Sequence, residues 1–148
     1  MSSLSELFQN KVLGAALTAW VIAQTIKVSL AVRRKHQFDV RWFLGTGGMP
    51  SAHSAGVSAL AVAVGCQVGF HTPGFAVALI FALVTMFDAQ GVRHAVGRQA
   101  IAMNRLIDEL YVKGQVSQER LLELLGHTPV EVFVGAAMGI MIALLYFK

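Results

Sequence analysis

The sequence predicts an all-α fold, an integral membrane bundle of about four transmembrane helices with one or two surface helices on the cytoplasmic side. Three observations predict it. Hydrophobic residues make up 55% of the 148 residues and charged residues only 14%, whereas a typical soluble domain carries about 25% charged residues. The apolar residues gather into four runs, each close to the length of a membrane-spanning helix. The basic residues gather between those runs, on one side of the membrane.

Length and net charge limit the other classes of protein. At roughly 100–200 residues per domain, residues 1–148 are expected to form one membrane-embedded domain. The net charge of +4 would point to nucleic acid in a soluble protein. Here the positive-inside rule accounts for it, so we expect no nucleic-acid partner. The composition also excludes intrinsic disorder, a coiled coil and a collagen-like fibre.

The four apolar runs are the candidate membrane spans. The first, Val12–Val32, has the length of a span. The second, Ala55–Phe70, is rich in Ala, Gly and Val, which suits close helix packing in a membrane. A turn signal, His71–Gly74, separates it from the third run, Phe75–Phe87. The fourth, Val130–Phe147, follows a proline, a residue favoured in the first turn of a helix.

A polar stretch, Arg93–His127, separates the third run from the fourth. Within it Ile101–Leu110 and Ser117–Leu125 carry apolar residues at roughly helical spacing. This pattern predicts two helices that lie at the membrane surface or cap the bundle. A surface that binds a partner protein is the alternative interpretation of the same pattern.

The basic residues predict the orientation. If all four runs cross the membrane, the first and third loops lie on the same side, and the turn between the second and third runs has no Lys or Arg. The positive-inside rule then places both basic loops in the cytoplasm. The expected location is the bacterial inner membrane, with the site facing the cytoplasm. The basic residues are Arg33, Arg34, Lys35 and Arg41 in the first loop and Arg93, Arg98, Arg105, Lys113 and Arg120 in the third.

Several polar residues converge on that cytoplasmic side. Lys27, residues 47–54, Asp88, Arg93 and His127 all fall at the cytoplasmic ends of spans. Ionisable groups in or beside a span are costly, so each is a candidate for function. Taken singly, Lys27 could snorkel to the interface and Asp88 could simply reach it. Their convergence favours a common site.

The string GGMPSAHS, residues 47–54, is the most informative one. Gly48 permits tight backbone geometry and Pro50 starts a turn, so Ser51 and His53 lie at the N-terminus of the second run. The first-turn N–H groups and the helix dipole favour an anion there. A Ser hydroxyl can donate to a phosphate oxygen, and a His can move a proton near neutral pH. The alternative is a plain Ser N-cap followed by an interfacial His.

Two further strings hold candidate residues for binding or attacking a phosphate: DAQGVRHAVGRQ, residues 88–99, and LLGHTPVEV, residues 124–132. Arg93 could hold a phosphate with a bidentate contact. Glu131 lies four residues after His127, so its carboxylate can reach one imidazole nitrogen and leave the other free as a nucleophile. The alternative for Glu131 is an acidic residue that favours the helix dipole in a first turn.

At this point the sequence resembles a known family. The strings GGMPSAHSA, FDAQGVRHAVG and LLGHTPVEVFVG together are similar to the divergent branch of the type 2 phosphatidic acid phosphatase family. The wider family shares a helical core with vanadium haloperoxidases and bacterial acid phosphatases. Its three motifs are K-x6-R-P, P-S-G-H and S-R-x5-H-x3-D, and its chemistry is independent of metal and passes through a phosphohistidine.

The first motif and the arginine of the third transfer to this chain with changes. Lys27 and Arg34 keep the K-x6-R spacing, while Lys35 replaces the Pro. Arg93 resembles the arginine of the third motif, but residues 94–126 lie between it and the histidine, a far longer interval than the family's.

The histidines transfer more closely. Residues 50–53 read P-S-A-H, with Ala in place of Gly, and end on His53. His127 and Glu131 match H-x3-D with Glu in place of Asp. The resemblance implies that His127 attacks phosphorus, that Glu131 orients it and that His53 protonates the leaving oxygen. It implies a phosphate-binding set made of Lys27, Arg34, Gly48, Ser51 and Arg93.

The resulting expectation is a membrane lipid phosphatase that acts on a phosphomonoester or pyrophosphate of a phospholipid or isoprenoid. No cofactor is expected, and Asp88, which has no counterpart in the motifs, is the one residue considered as a metal ligand. Self-association is considered as well. Two alternatives stay open: a non-catalytic membrane protein that senses or binds anionic lipid, and a small oligomeric transporter. The absence of charged residues in the middle of runs two to four counts against transport.

Overall fold

The computed structural model describes residues 3–35, 48–112 and 127–148. Within these ranges every regular element is a helix, so the all-α prediction is confirmed for the described part of the chain. The helices are α1 (Ser3–Gln9), α2 (Lys11–Lys35), α3 (Ala52–Val68), α4 (Pro73–Val112) and α5 (Pro129–Tyr146).

Helix α3 is the centre of the bundle, and α2, α4 and α5 all pack against it. Helix α2 runs antiparallel to α3, because Ala19 near its start shares a buried cluster with Ala59 and Ala63 in the second half of α3. Nearer its end, Ala23 shares a second cluster with Ala52 at the start of α3. Apolar side chains as small as alanine let the two helices approach closely.

Helix α5 runs parallel to α3 and touches it backbone to backbone. A Cβ atom added to Gly135 would overlap the carbonyl oxygen of Ser51, and one added to Gly139 would overlap the carbonyl oxygen of Ala55. The Ser58 hydroxyl donates to the Ser54 carbonyl oxygen at 2.6 Å and also lies 3.1 Å from the carbonyl oxygen of α5 residue 136. Glycines four residues apart commonly allow such close contact between membrane helices.

The distribution of large and small side chains is the reverse of that in a water-soluble protein, where large apolar side chains fill the core. The buried apolar residues are mostly alanines, and the largest fully buried side chains are those of Ser51 and Ser54. Large apolar side chains instead face outward on α4 and α5, including Val77, Phe87 and Phe133, the last of them 75% exposed. Exposed apolar surface of this extent marks contact with another apolar phase. The distribution therefore supports a membrane location.

Among the described residues, two helices are long and apolar enough to cross a bilayer by length and composition, over Lys11–Arg33 and Pro129–Tyr146. The other two apolar stretches, Ala52–Val68 and Pro73–Ala89, are shorter. Two of the four expected spans thus meet this criterion, and the four-span bundle as a whole is not confirmed by it.

The structure differs from the sequence-based expectation in three places. Helix α1 was not predicted. The boundary predicted between the third run and a surface helix over Ile101–Leu110 is wrong, because α4 continues through both as one helix of 40 residues. A change from apolar to polar side chains marks a change of surroundings, and it does not interrupt the hydrogen bonds of a helix. The turn begins earlier than expected, at Gly69 with φ of +99°, and the helix predicted over Ser117–Leu125 lies outside the described residues.

Candidate functional site

The N-termini of α3 and α5 meet at one end of the bundle, since the two helices are parallel. The Ser51 N–H donates to the carbonyl oxygen of Glu131 at 3.1 Å, which joins the two first turns directly. The His127 N–H donates to the carbonyl oxygen of Ala89 at 3.3 Å, which joins the start of α5 to α4. These two main-chain bonds bring together segments that the sequence separates by up to 80 residues, as from position 51 to position 131.

His127 and Glu131 form the best-defined polar contact of this end. The Nδ1 atom of His127 lies 2.9 Å from Oε2 of Glu131, and the His127 side chain is only 2% exposed. The N–H of Thr128 donates to the same carboxylate oxygen at 3.2 Å. The Thr128 hydroxyl in turn accepts from the Glu131 N–H, which completes a capping box at the start of α5.

This geometry sets the chemistry of the His127 ring. An ionised carboxylate can only accept hydrogen bonds, so beside an ionised Glu131 the Nδ1 of His127 is the nitrogen expected to carry the proton. In the neutral ring the other nitrogen, Nε2, then keeps its lone pair. A histidine held in this way can attack an electrophile, because the carboxylate also stabilises the positive charge that develops on the ring.

His53 lies beside His127 but in a different environment. It is the second residue of α3, and its side chain is exposed. The two ring centroids are 6.2 Å apart and the rings are inclined by 62°. Two imidazoles at this separation can both contact one small group placed between them. The structure thus brings the predicted pair of histidines together.

Ser51 is buried and serves as the N-cap of α3. Its hydroxyl accepts from the Ser54 N–H at 3.3 Å and lies 3.0 Å from the Ser54 hydroxyl, and neither side chain is exposed. This arrangement matches the N-cap that the sequence offered as the alternative. A direct contact between the Ser51 hydroxyl and phosphate stays a prediction.

The segment before α3 lies on the stem of Lys27. Gly48 has φ of +89°, a conformation that favours glycine. A Cβ atom at this position would also come within 3.3 Å of Cγ of Lys27. Lys27 is half-buried and belongs to the same end of the bundle as the two histidines. The structure therefore brings Lys27 and Gly48 together, as a shared role in binding requires.

The remaining predicted residues are placed less completely. Arg34 lies in α2 and Arg93 in α4, one turn beyond Ala89, but their side chains lie outside the described residues. Asp88 is exposed. Over residues 3–35, 48–112 and 127–148, no group of three or more His, Cys, Asp and Glu residues could hold a metal ion. Asp88 is thus not part of such a group in those ranges.

Three features of the site were not predicted from the sequence. Thr128 followed three residues later by Glu131 is a capping-box pattern and could have been recognised. Gly135 and Gly139 form a G-x-x-x-G pattern in an apolar helix, which could also have been recognised. The carbonyl group of Ala89 leaves no signal in the sequence, because any residue supplies a carbonyl oxygen.

Comparison with known proteins identifies the family of this chain. The sequence profile of the divergent PAP2 family matches residues 8–142. The chain belongs to that family, as the three strings of residues predicted. It is 41% identical over 150 aligned positions to a Bacillus subtilis (strain 168) protein named "Uncharacterized membrane protein YuiD", and the alignment covers 94% of this chain and 95% of that protein. No solved structure matches this chain.

Proposed function

We propose that this protein is a membrane lipid phosphatase that hydrolyses a phosphomonoester or a pyrophosphate through a phosphohistidine intermediate. The observation that carries the proposal is the contact of 2.9 Å between buried His127 and part-buried Glu131, which lies next to a second, exposed histidine, His53. Membership of a phosphatase-related family supports the same reaction class.

In the first step, Nε2 of His127 attacks phosphorus while the bond from phosphorus to the leaving oxygen breaks. Glu131 holds the Nδ1 proton and stabilises the positive charge on the ring. His53 in its protonated form gives a proton to the leaving oxygen. In the second step, a water molecule attacks phosphorus, the phosphorus–nitrogen bond breaks, and His53 accepts the proton of that water. Phosphate leaves and both histidines return to their starting states.

The phosphate group is bound where the N-termini of α3 and α5 meet. Helix α3 contributes first-turn N–H groups and a positive dipole end, which favour an anion, and α5 adds its dipole end. Because the Ser51 hydroxyl is buried, its contribution comes through the first turn that it caps. The side chains of Lys27, Arg34 and Arg93 and the backbone near Gly48 complete the set. The proposal assigns no metal, because a histidine nucleophile needs none.

The substrate is a phospholipid or isoprenoid phosphate, whose chain lies in the same apolar phase as the outer surfaces of α4 and α5. We also propose that α3 and the first part of α4 cross the membrane. At about 1.5 Å per residue, their 17-residue stretches span about 25 Å, slightly less than the roughly 30 Å hydrocarbon core of a bilayer. Four alternating crossings would make the second and fourth spans parallel, as α3 and α5 are.

This topology puts the site on the cytoplasmic side of a bacterial inner membrane, and cysteine labelling tests this orientation. Single cysteines at Gln37 and Gln115, in a Cys66→Ala background, should be shielded from an impermeant thiol reagent in intact cells. A cysteine at Thr72, at the opposite end of the bundle, should react. Labelling of the Gln37 or Gln115 positions from outside would contradict the proposed orientation.

Phosphate release by the purified protein from a panel of phospholipid and isoprenoid phosphates tests the activity. We expect release of inorganic phosphate from at least one lipid substrate, and we expect it to persist in the presence of a metal chelator. Tight binding of the same lipids without turnover would contradict the phosphatase function and favour the alternative, a membrane protein that senses lipid. Turnover that is lost with the chelator would contradict the metal-independent mechanism.

A further inference from the structure

We propose that Thr128 is a positioning residue for His127: it fixes the carboxylate of Glu131 and thereby selects which nitrogen of the His127 ring carries the proton. The consequence of this for catalysis rests on the proposed phosphatase function. The effect on the ring itself does not, and it can be measured without any substrate.

The geometry concentrates three contacts on one short segment. The Thr128 N–H donates to Oε2 of Glu131 at 3.2 Å, and the same oxygen lies 2.9 Å from Nδ1 of His127. The Thr128 hydroxyl accepts from the Glu131 N–H at 3.4 Å. Thr128 therefore holds Glu131 at both its backbone and its carboxylate. The oxygen that meets the imidazole is the oxygen that the helix cap already fixes.

Such a restraint matters because a glutamate side chain has several rotatable bonds. Without the cap, the Glu131 carboxylate, whose side chain is 19% exposed, could turn toward water and leave the ring. A neutral imidazole without a fixed partner exchanges its proton between the two nitrogens. The cap thus converts a flexible acid into a fixed acceptor for the Nδ1 proton.

The same geometry uses the length of the glutamate side chain. Glu131 is the third residue of α5, and Glu at this position has the length to reach back to the N–H of the capping residue. In this chain, the capping box and the acid that orients the histidine are one structure.

The test is the tautomer of His127, read from the ¹⁵N chemical shifts of its ring in the full-length protein, labelled on histidine and held in detergent micelles. The His127→Gln variant assigns the signal. In the unmodified protein we expect one neutral form, protonated at Nδ1. Thr128→Val keeps the N–H of residue 128 but removes the hydroxyl that caps the Glu131 N–H, which loosens the first turn that aligns that N–H with Oε2 of Glu131. It should therefore give a mixture of both neutral forms, and Thr128→Ser should restore the single form.

Thr72→Val is the matched control. The Thr72 hydroxyl accepts from the Phe75 N–H at 3.3 Å at the start of α4, so this variant also loses a capping hydroxyl, but at the opposite end of the bundle. It should leave the His127 ring unchanged. A single Nδ1-protonated form in Thr128→Val would overturn the proposal, and so would an equal disturbance by Thr72→Val.

The kinetic consequence is measured separately. If the protein releases phosphate from a lipid substrate, Thr128→Val should lower kcat on the order of 10–100-fold, the usual scale for a group that orients a functional histidine. KM should change little, and Thr128→Ser should restore kcat. Absence of any phosphatase activity in the unmodified protein would contradict the proposed function, while the ring measurement would still decide the role of Thr128.

Discussion

The first turns of α3 and α5 begin alike and present their histidines differently. Both are capped by a hydroxyl, from Ser51 in α3 and from Thr128 in α5. His53 comes two residues after its cap and is exposed, and the residue four positions later is Val57. His127 comes one residue before its cap, is buried, and meets the carboxylate four positions later. The position of a histidine relative to the cap therefore decides whether its side chain is exposed or is buried against a carboxylate of the same helix.

The largest expected effect comes from removing the held histidine. His127→Ala should abolish turnover, and trapping with labelled substrate should yield no phosphoenzyme. In the unmodified protein the trapped adduct should be labile in acid and stable in base, as a phosphoramidate is. Near-normal turnover in His127→Ala would assign the nucleophile to another residue. The different surroundings of the two histidines would then not correspond to different roles in the reaction.

His53→Ala should cost less and in a different way. A general acid typically contributes about 10²–10⁴-fold, and its contribution is greatest when the leaving group is poor. A substrate with a good leaving group should therefore recover part of the His53→Ala defect and none of the His127→Ala defect. Equal recovery in both variants would mean that the two histidines share one role.

Phosphate affinity comes next in size and shows on which side of the pair the anion is bound. Arg93 follows by one turn the Ala89 carbonyl that accepts from His127. Arg93→Ala should weaken the binding of vanadate by about 1.5–3 kcal/mol, the scale of a hydrogen bond to a charged group. Arg98→Ala is the control and should change the affinity little. Equal losses, measured by calorimetry, would indicate diffuse attraction between anions and a basic surface.

The contact between the two helix starts can be broken without touching either histidine. Gly135→Ala places a methyl group against the Ser51 carbonyl, so α3 and α5 must separate. Overfilling of a packed interior typically costs about 1–3 kcal/mol of unfolding free energy, and thermal unfolding in detergent measures it. Gly74→Ala is the control, because its added carbon meets no atom closer than 3.9 Å. Equal stability of the two variants would contradict the close approach.

The smallest expected effects come from removing the two capping hydroxyls, those of Ser51 and Thr128. Ser51→Ala removes a buried hydroxyl and leaves the Ser54 N–H and hydroxyl without that partner, so it should cost about 1–3 kcal/mol. Thr128 is exposed, and water can replace its hydroxyl, so Thr128→Ala should cost only about 0.5–1 kcal/mol, the lower part of the range for N-caps. A larger loss for Thr128→Ala in the same unfolding measurement would reverse this order.

The sequence predicts the parts of this fold that the surroundings determine. The four apolar runs lie in α2, α3, α4 and α5, because a membrane selects for apolar length. The seven-residue α1 is too short to show a periodicity. The unbroken course of α4 to Val112 was missed because polar residues continue a helix as well as apolar ones do. The parallel pairing of α3 with α5 depends on which surfaces meet, which no local pattern records.

The site divides in the same way. The contact between His127 and Glu131 follows from a spacing of four residues, so sequence alone predicts it. The burial of His127 does not follow from any spacing, because it depends on groups far along the chain, such as the Ala89 carbonyl. The near approach of His53 to His127 needs the parallel packing of two helices. The sequence anticipated it through the common membrane side of the two histidines and through the family resemblance.

The inverted distribution of side chains has a consequence for how heat acts on this protein. Heat capacity rises on unfolding when apolar surface is transferred to water. In this bundle the large side chains, such as Phe133, already face outward, and separating the helices within a bilayer would transfer mainly alanine and glycine surface to lipid. The change in heat capacity should therefore be small and the stability should fall almost linearly with temperature. The bundle should then show no cold denaturation, unlike a water-soluble domain of the same length.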